Sequence, residues 1–298
     1  MTMRRGAASV GQDSVRLPGT ATIAEAIHDG ARRLRDLADN PRLEARLLLA
    51  HALGLSRADL IRDPHRSVET GTFNDLLTRR LLHQPLAHIL GRREFWSLEF
   101  QVSPATLIPR PDSETLIEAA LVHFAHRPPP RRILDLGSGT GCLLLALLHE
   151  FPAAFGIGID IAPDAAGLAR RNAIRIGLAD RAAFLAGDWT KPIAGRFDLV
   201  ISNPPYIPAA DIDDLMPEVA LHEPRRALDG GADGYDAYRT ILGDLPGRLL
   251  PGGTAILELG AGQAKEVAAL ARQAGFAASL HLDLAGIQRA VVLSPIGD

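Results

Sequence analysis

Apolar positions along the chain keep a helical period at first, then change it twice. Ile23, Ala26, Ile27 and Leu34 fall near a 3.6-residue repeat, as do Leu43, Leu47, Leu48 and Ala50, and then Phe73, Leu76, Leu77, Leu81 and Leu82. Asn40-Pro41 separates the first two runs, and Gln84-Pro85 ends the third. The spacing predicts a small helical bundle over residues 21–86, with no catalytic constellation in it. Segments 93–96 and 98–102 instead read as extended strands that pair as a hairpin around Ser97. Pro109 and Pro111 hold Arg110 extended, and Asp112 can cap a helix whose apolar positions are Leu116, Ile117, Ala120, Leu121 and Phe124. Pro128-Pro129-Pro130 reads as a stiff linker, so residues 87–130 form a connector of hairpin and helix.

After Arg131 strands and helices alternate. Apolar runs at 133–136, 155–160, 182–186, 197–202 and 254–259 read as strands, followed by two more near 277–282 and 289–293. Helices are expected at 142–149, 163–176, near 235–249 and at 263–273. This alternation predicts an α/β domain over residues 131–298, with a seven-stranded, mostly parallel sheet and helices on both faces. Residues 1–20 contain Arg4-Arg5 but no apolar core, so they read as a disordered tail rather than a secretory signal.

Composition narrows the classes. The 298 residues are 47% hydrophobic, enough for a large domain and a smaller one. A formal net charge of -3 offers no overall attraction for a polyanion, so direct nucleic-acid binding is not expected. Cys142 is the single cysteine, which rules out an intrachain disulfide and a cysteine metal cluster and fits a reducing cytoplasm. No metal site is expected. No apolar stretch approaches the length of a membrane span, so no membrane association is expected and a monomer is the default state.

The candidate chemistry sits where the strands end. Asp135-Leu136-Gly137-Ser138-Gly139-Thr140-Gly141 joins the first strand of the α/β domain to its first helix, and alternate glycines let the backbone bend tightly and approach a ligand. A dinucleotide fingerprint would place a third glycine at position 142, where this chain has Cys142. Asp160 ends the second strand, where an acid accepts ribose hydroxyls or caps the next helix. Gly187-Asp188-Trp189 ends the third, where Asp188 can accept from an adenine amino group and Trp189 can cover the ring, or the pair can serve as cap and packing residue. Asn203-Pro204-Pro205-Tyr206 ends the fourth. Neither proline has an N–H, so the tetrapeptide presents carbonyl oxygens and the Asn203 amide, an acceptor-rich corner suited to a substrate NH2 group. Ligand-competent residues at four successive strand ends make a shared site more plausible than four separate turns.

Together these motifs resemble the class I, Rossmann-like methyltransferases that use S-adenosylmethionine and methylate amide or amino nitrogen. The segments 84–91, 93–96, 107–114 and 223–231 narrow the resemblance to the HemK/PrmC family of peptide chain release factor N5-glutamine methyltransferases, over nearly the whole chain after Thr20. The resemblance implies S-adenosylmethionine as cofactor and S-adenosylhomocysteine as product, held by Gly137, Ser138, Gly139, Thr140, Gly141, Asp160, Asp188, Trp189 and Asn203. It also implies Asn203, Pro204 and Tyr206 as catalytic residues, and these with Pro205 as the substrate clamp. The implied substrate is the glutamine of the Gly-Gly-Gln motif in class I release factors, which residues 21–86 help to hold. Ser113 stands where the family usually has threonine, and Leu259-Gly260 where it often has His-Gly. The nearest rivals are methylation of a glutamine in a large-subunit ribosomal protein and N6-adenine or N2-guanine methylation of nucleic acid. A non-catalytic module that binds a nucleotide and a protein is a further reading, and an NAD dehydrogenase would leave Asn-Pro-Pro-Tyr without a task.

Overall fold

The computed structural model describes residues 19–297, so the expected tail lies outside the described residues as far as position 18. The chain divides into two compact units between Leu90 and Gly91.

The first unit holds β1 (Thr20–Thr22), α1 (Ile23–Arg33), α2 (Pro41–Leu53), α3 (Arg57–Arg62), β2 (Ser67–Glu69), α4 (Gly71–Leu81) and α5 (Leu86–Leu90). Its helix starts are written in the sequence. Thr22 and Glu25 form a capping box on α1, Asn40 caps α2 with Pro41 at the first helical position, and Ser56 with Asp59 caps α3. The apolar stripes meet in a core that includes Ile23, Leu34, Leu48, Leu49, Phe73 and Leu77, all fully buried. A buried Arg80 donates to Glu44 at 2.7 Å and ties α4 to α2. The antiparallel β1–β2 pair was not expected, because three-residue strands carry no readable period.

The second unit begins with the hairpin of β3 (Arg92–Phe95) and β4 (Leu98–Gln101), then a 3-10 turn at Pro111–Ser113 and α6 (Glu114–Phe124). The hairpin turns at Trp96 and Ser97, with φ of 51° and 58°. Two positive φ values at non-glycine residues are costly, and two bonds hold them: the Trp96 N–H donates to Glu114 at 2.8 Å and its indole N–H to Glu150 at 2.7 Å. Asp112 does not cap α6. Its carboxylate lies beside Arg289 at 3.2 Å, and the residue at the cap position is Ser113, which makes no side-chain cap bond.

The remaining elements are β5 (Arg132–Leu136), α7 (Cys142–Glu150), β6 (Phe155–Asp160), α8 (Pro163–Ile176), β7 (Ala182–Ala186), β8 (Phe197–Ser202), α9 (Pro217–His222), α10 (Asp236–Arg248), β9 (Leu249–Glu258), α11 (Ala264–Gln273), β10 (Phe276–Leu282) and β11 (Gln288–Pro295). The sheet has seven strands in the order β10-β11-β9-β8-β5-β6-β7. β5 to β9 run parallel, and β11 is antiparallel to both of its neighbours. Strand residues alternate between two cores. Ile133, Leu199, Ile256 and Val292 pack with α6, α7 and α8, while Leu134, Val200, Leu257 and Val291 pack with α10 and α11. Each such side chain contributes roughly 1.5–3 kcal/mol by leaving water. β9 starts five residues earlier than its apolar run suggests, at Leu249 rather than 254, because Gly252-Gly253 lets the strand bulge and pair Leu249 with Phe197. Among the described residues no helix is long and apolar enough to cross a membrane.

The chain leaves β5 first toward β6 and β7 and later returns to β8 on the other side. That reversal opens a crevice above the C-terminal ends of β5 and β8, where ligands bind in open α/β sheets.

Candidate active site

The loop after β5 is built around backbone that only glycine adopts without strain. Gly137, Gly139 and Gly141 have φ of 73°, 52° and 80°. The Gly137 and Ser138 N–H groups donate to the Ile159 carbonyl at 2.8 and 3.0 Å, which pins the loop to β6. Asp160 completes the fastening. One of its oxygens accepts the Gly139 N–H and the other the Ala162 N–H, each at 2.9 Å. The glycines then divide in purpose. A Cβ at Gly139 would meet only Thr106 at 3.9 Å, whereas one at Gly141 would sit 2.9 Å from the Phe184 ring and 3.1 Å from Ala169. Gly141 is therefore a packing position at the start of α7, and Gly137 and Gly139 border open space.

That space is a cavity of about 230 Å³. Its lining includes Gly137, Ser138, Gly139 and Thr140 of the loop, Asp160, Asp188 and Trp189 at or just past the ends of the next two strands, and Asn203 and Pro205 after β8. Ile108, Pro109 and Arg110 form the opposing wall. Gly141, Pro204 and Tyr206, expected in the site from sequence, lie outside this lining. The hydroxyls of Ser138 and Thr106 are buried with no hydrogen-bond partner among the described residues, although both residues line the cavity. Polar groups left so are costly unless a ligand or water meets them. Asp188 is paired with Lys191 at the rim, and Trp189 has a φ of 46°, which turns the chain sharply as it leaves the third parallel strand. Cys142 begins α7, and burial pushes its thiol up to about 12, so it is no nucleophile.

Asn203 is held from behind. Its amide NH2 donates to the Ser113 hydroxyl at 3.1 Å, and that hydroxyl donates to Glu258 at 2.5 Å. Tyr206 donates to the other Glu258 oxygen at 3.2 Å. Burial pushes Glu258 up to about 7, against the bonds from Ser113 and Tyr206 and the nearby Arg289 charge. Below the glycine loop lies Asp135, fully buried, which burial and then the Asp160 charge push up to about 8.

The wall opposite the loop is anchored at long range. Glu223 accepts from Arg110 at 2.5 Å and from the Ile108 N–H at 3.1 Å, and Arg226 donates to the Ala105 carbonyl at 2.6 Å. Burial raises Glu223 and the Arg110 charge opposes the rise. Segments 105–112 and 223–226 thus form one wall. Sequence reasoning gave no site role to Ser113, Glu223 or Glu258. For Glu258 a signal existed: it is an acid inside the apolar run 255–259, a placement that requires partners.

Residues 25–91 match the PrmC N-terminal domain family, and residues 113–233 match the Methyltransferase small domain family. The doubly wound sheet, the glycine loop and the cavity at the strand ends define an S-adenosylmethionine-dependent methyltransferase. The release factor glutamine methyltransferase of Bradyrhizobium diazoefficiens is 47% identical over 269 residues, 88% of this chain and 91% of its own. That of Rhodospirillum rubrum is 47% identical over 268 residues, covering 88% of this chain and 82% of its own. The chain belongs to the release factor glutamine methyltransferase family. Among solved structures, the hMettl16 catalytic domain in complex with MAT2A 3'UTR hairpin 6 superposes with a TM-score of 0.52 at 17% identity, over 77% of this chain and 84% of that one, a likeness of fold alone.

Proposed function

We propose that the chain methylates the side-chain amide nitrogen, N5, of the glutamine in the Gly-Gly-Gln motif of class I peptide chain release factors. The observation that carries this reading is the fixed amide of Asn203 at the end of β8, beside the cavity of the glycine loop. The residues suit the cofactor: open space beside Gly137 and Gly139, unpartnered hydroxyls on Ser138 and Thr106, and lone pairs remaining on Asp160. Gly137, Ser138, Gly139 and Thr140 would hold its amino-acid part, Asp160 its ribose hydroxyls, Asp188 its adenine amino group, and Trp189 the face of the ring. When bound, S-adenosylmethionine supplies a methyl group made electrophilic by the sulfonium sulfur.

An amide nitrogen is a poor nucleophile, because its lone pair is delocalised into the carbonyl. The Asn203 oxygen and the Pro204 carbonyl accept the two hydrogens of the substrate NH2 and orient it. Both contacts strengthen as positive charge develops on nitrogen. Pro205 and Tyr206 border the planar amide. No side-chain base is needed before attack, since the nitrogen becomes acidic only as the new bond forms. The helical unit helps to hold the release factor, and the enzyme acts as a cytoplasmic monomer.

Incubation with labelled cofactor and a panel of release factor, ribosomal protein, DNA and RNA, followed by mass spectrometry, tests the reading. A single methyl on the Gly-Gly-Gln glutamine is expected. A methyl on a ribosomal protein or a nucleic-acid base instead would overturn it.

A further inference from the structure

We propose that Ser113 and Glu258 are positioning residues that lock the Asn203 amide with its oxygen toward the methyl-accepting nitrogen. The proposal rests on the reading of Asn203 as the substrate's acceptor. Its basis is a count of protons in a closed space. Ser113 and Glu258 are 3% and 1% exposed, so water does not mediate between them. A serine hydroxyl has one hydrogen, and here it goes to the Glu258 carboxylate at 2.5 Å. Ser113 therefore faces Asn203 as an acceptor, which selects the amide NH2 for the 3.1 Å contact behind and leaves the amide oxygen for the cavity. The opposite flip would set a carbonyl oxygen against an oxygen whose proton is already committed.

With Ser113 donating to one Glu258 oxygen and Tyr206 to the other, Glu258 is an anion in this arrangement. A protonated Glu258 has a hydrogen to give. Donated to the Ser113 oxygen, it frees the serine hydrogen to face Asn203, and the amide then turns its NH2 toward the cavity. Two donors would oppose each other there, and the substrate amide would lose its acceptor. The groups that face Glu258 are Arg289 from β11, whose charge favours the anion, Asp112 from the turn before α6, which opposes it, the Tyr206 hydroxyl, and from α7 the Cys142 thiol, neutral because burial raises it. The Tyr238 hydroxyl from α10 donates to the Glu258 backbone carbonyl at 2.8 Å and leaves the carboxylate to the others.

Ser113→Val, Ser113→Thr, Glu258→Gln and Asn203→Ala separate this role from mere packing. Valine and threonine have the same shape, but only threonine has the hydroxyl. Ser113→Val is expected to lower kcat by roughly 10-fold or more with cofactor affinity held within about threefold, and Ser113→Thr to restore it. In the wild type kcat should rise with pH through about 7, and Glu258→Gln should flatten that rise. If valine destabilises the fold, Ser113→Ala makes the same comparison. Turnover of Ser113→Val and Ser113→Ala within about threefold of wild type, while Asn203→Ala loses roughly 100-fold, would overturn the relay and leave the reading of Asn203 intact. Full activity of Asn203→Ala would overturn that reading itself.

Discussion

Arg110 and Glu223 lie 113 residues apart in sequence and meet at 2.5 Å, with the Glu223 side chain 1% exposed and the Arg110 side chain 37% exposed. The same carboxylate takes the Ile108 N–H, so a single buried acid holds the wall that faces the glycine loop. Removing the cation leaves Glu223 to be buried as an unpaired anion or to take up a proton. Arg110→Ala should therefore cost roughly 2 kcal/mol near pH 8, the lower end for a buried pair because Arg110 is partly solvated. The cost should be smaller at pH 5 than at pH 8, because burial raises Glu223 and its protonation relieves the unpaired charge. Urea unfolding at the two pH values checks this, and an equal loss at both would show that the charge of Glu223 is not what matters.

Asp160 has two tasks in one carboxylate. It accepts the Gly139 and Ala162 N–H groups and, on the proposed reading, the ribose hydroxyls as well. Asp160→Ala should weaken binding of S-adenosylhomocysteine by roughly 10-fold or more, through lost hydrogen bonds and a loosened loop. Asp160→Asn should fall between, since its single carbonyl oxygen can serve only part of this set. Calorimetric titration distinguishes the three proteins, and unchanged affinity in the alanine variant would remove Asp160 from the cofactor site.

The loop glycines should separate stability from binding. Gly141→Ala forces a positive φ on alanine and drives its Cβ to 2.9 Å from Phe184, so a loss of roughly 2–4 kcal/mol in folding stability is expected. Gly139→Ala meets open space and incurs only the backbone strain, roughly 1–2 kcal/mol. It should lose more in cofactor affinity than in stability, because the added methyl borders the cavity. Thermal melts paired with titration test the contrast, which fails if both variants lose the same quantity in both assays.

The strands were legible because their apolar runs are long enough for an α/β alternation to repeat, and β6, α8, β7 and β8 have the boundaries that the periodicity predicts. The strand-end residues were legible for the same reason, since the end of a buried strand fixes where a motif points. The excursion between β8 and α10 was not. Its small core of Ile212, Val219 and Leu228 is defined by tertiary contact rather than by any period. The Trp96-Ser97 turn was legible only as a position, because neither residue type announces a positive φ. Glu258 showed only that it needed a partner, as an acid inside an apolar run, and Ser113 showed nothing; their meeting spans 145 residues, so neither position names the other.

Asp135 gives folding stability a definite pH slope. Its folded-state pKa is raised from 3.8 to about 8, so the folded chain keeps a proton that the unfolded chain has released. Below pH 4 both states hold it and the contribution is complete. As pH rises from about 4 to about 8 the unfolded state gains from ionising, and stability falls at up to about 1.4 kcal/mol per pH unit. Glu258 acts with the same sign between 4.5 and about 7. Glu25, Asp59, Asp233 and Asp283 are shifted the other way, so their contributions are lost only at pH values below the ordinary carboxylate range. Glu223 adds to this slope, while His123, whose pKa burial lowers, acts with the opposite sign below 6.5. Above pH 6.5 the melting temperature should therefore decline with pH, and Asp135→Asn, which has no proton to lose, should decline less steeply than the wild type across pH 5 to 8. Calorimetric melts across that range decide it: parallel slopes in the two proteins would mean that Asp135 is already ionised beneath the glycine loop.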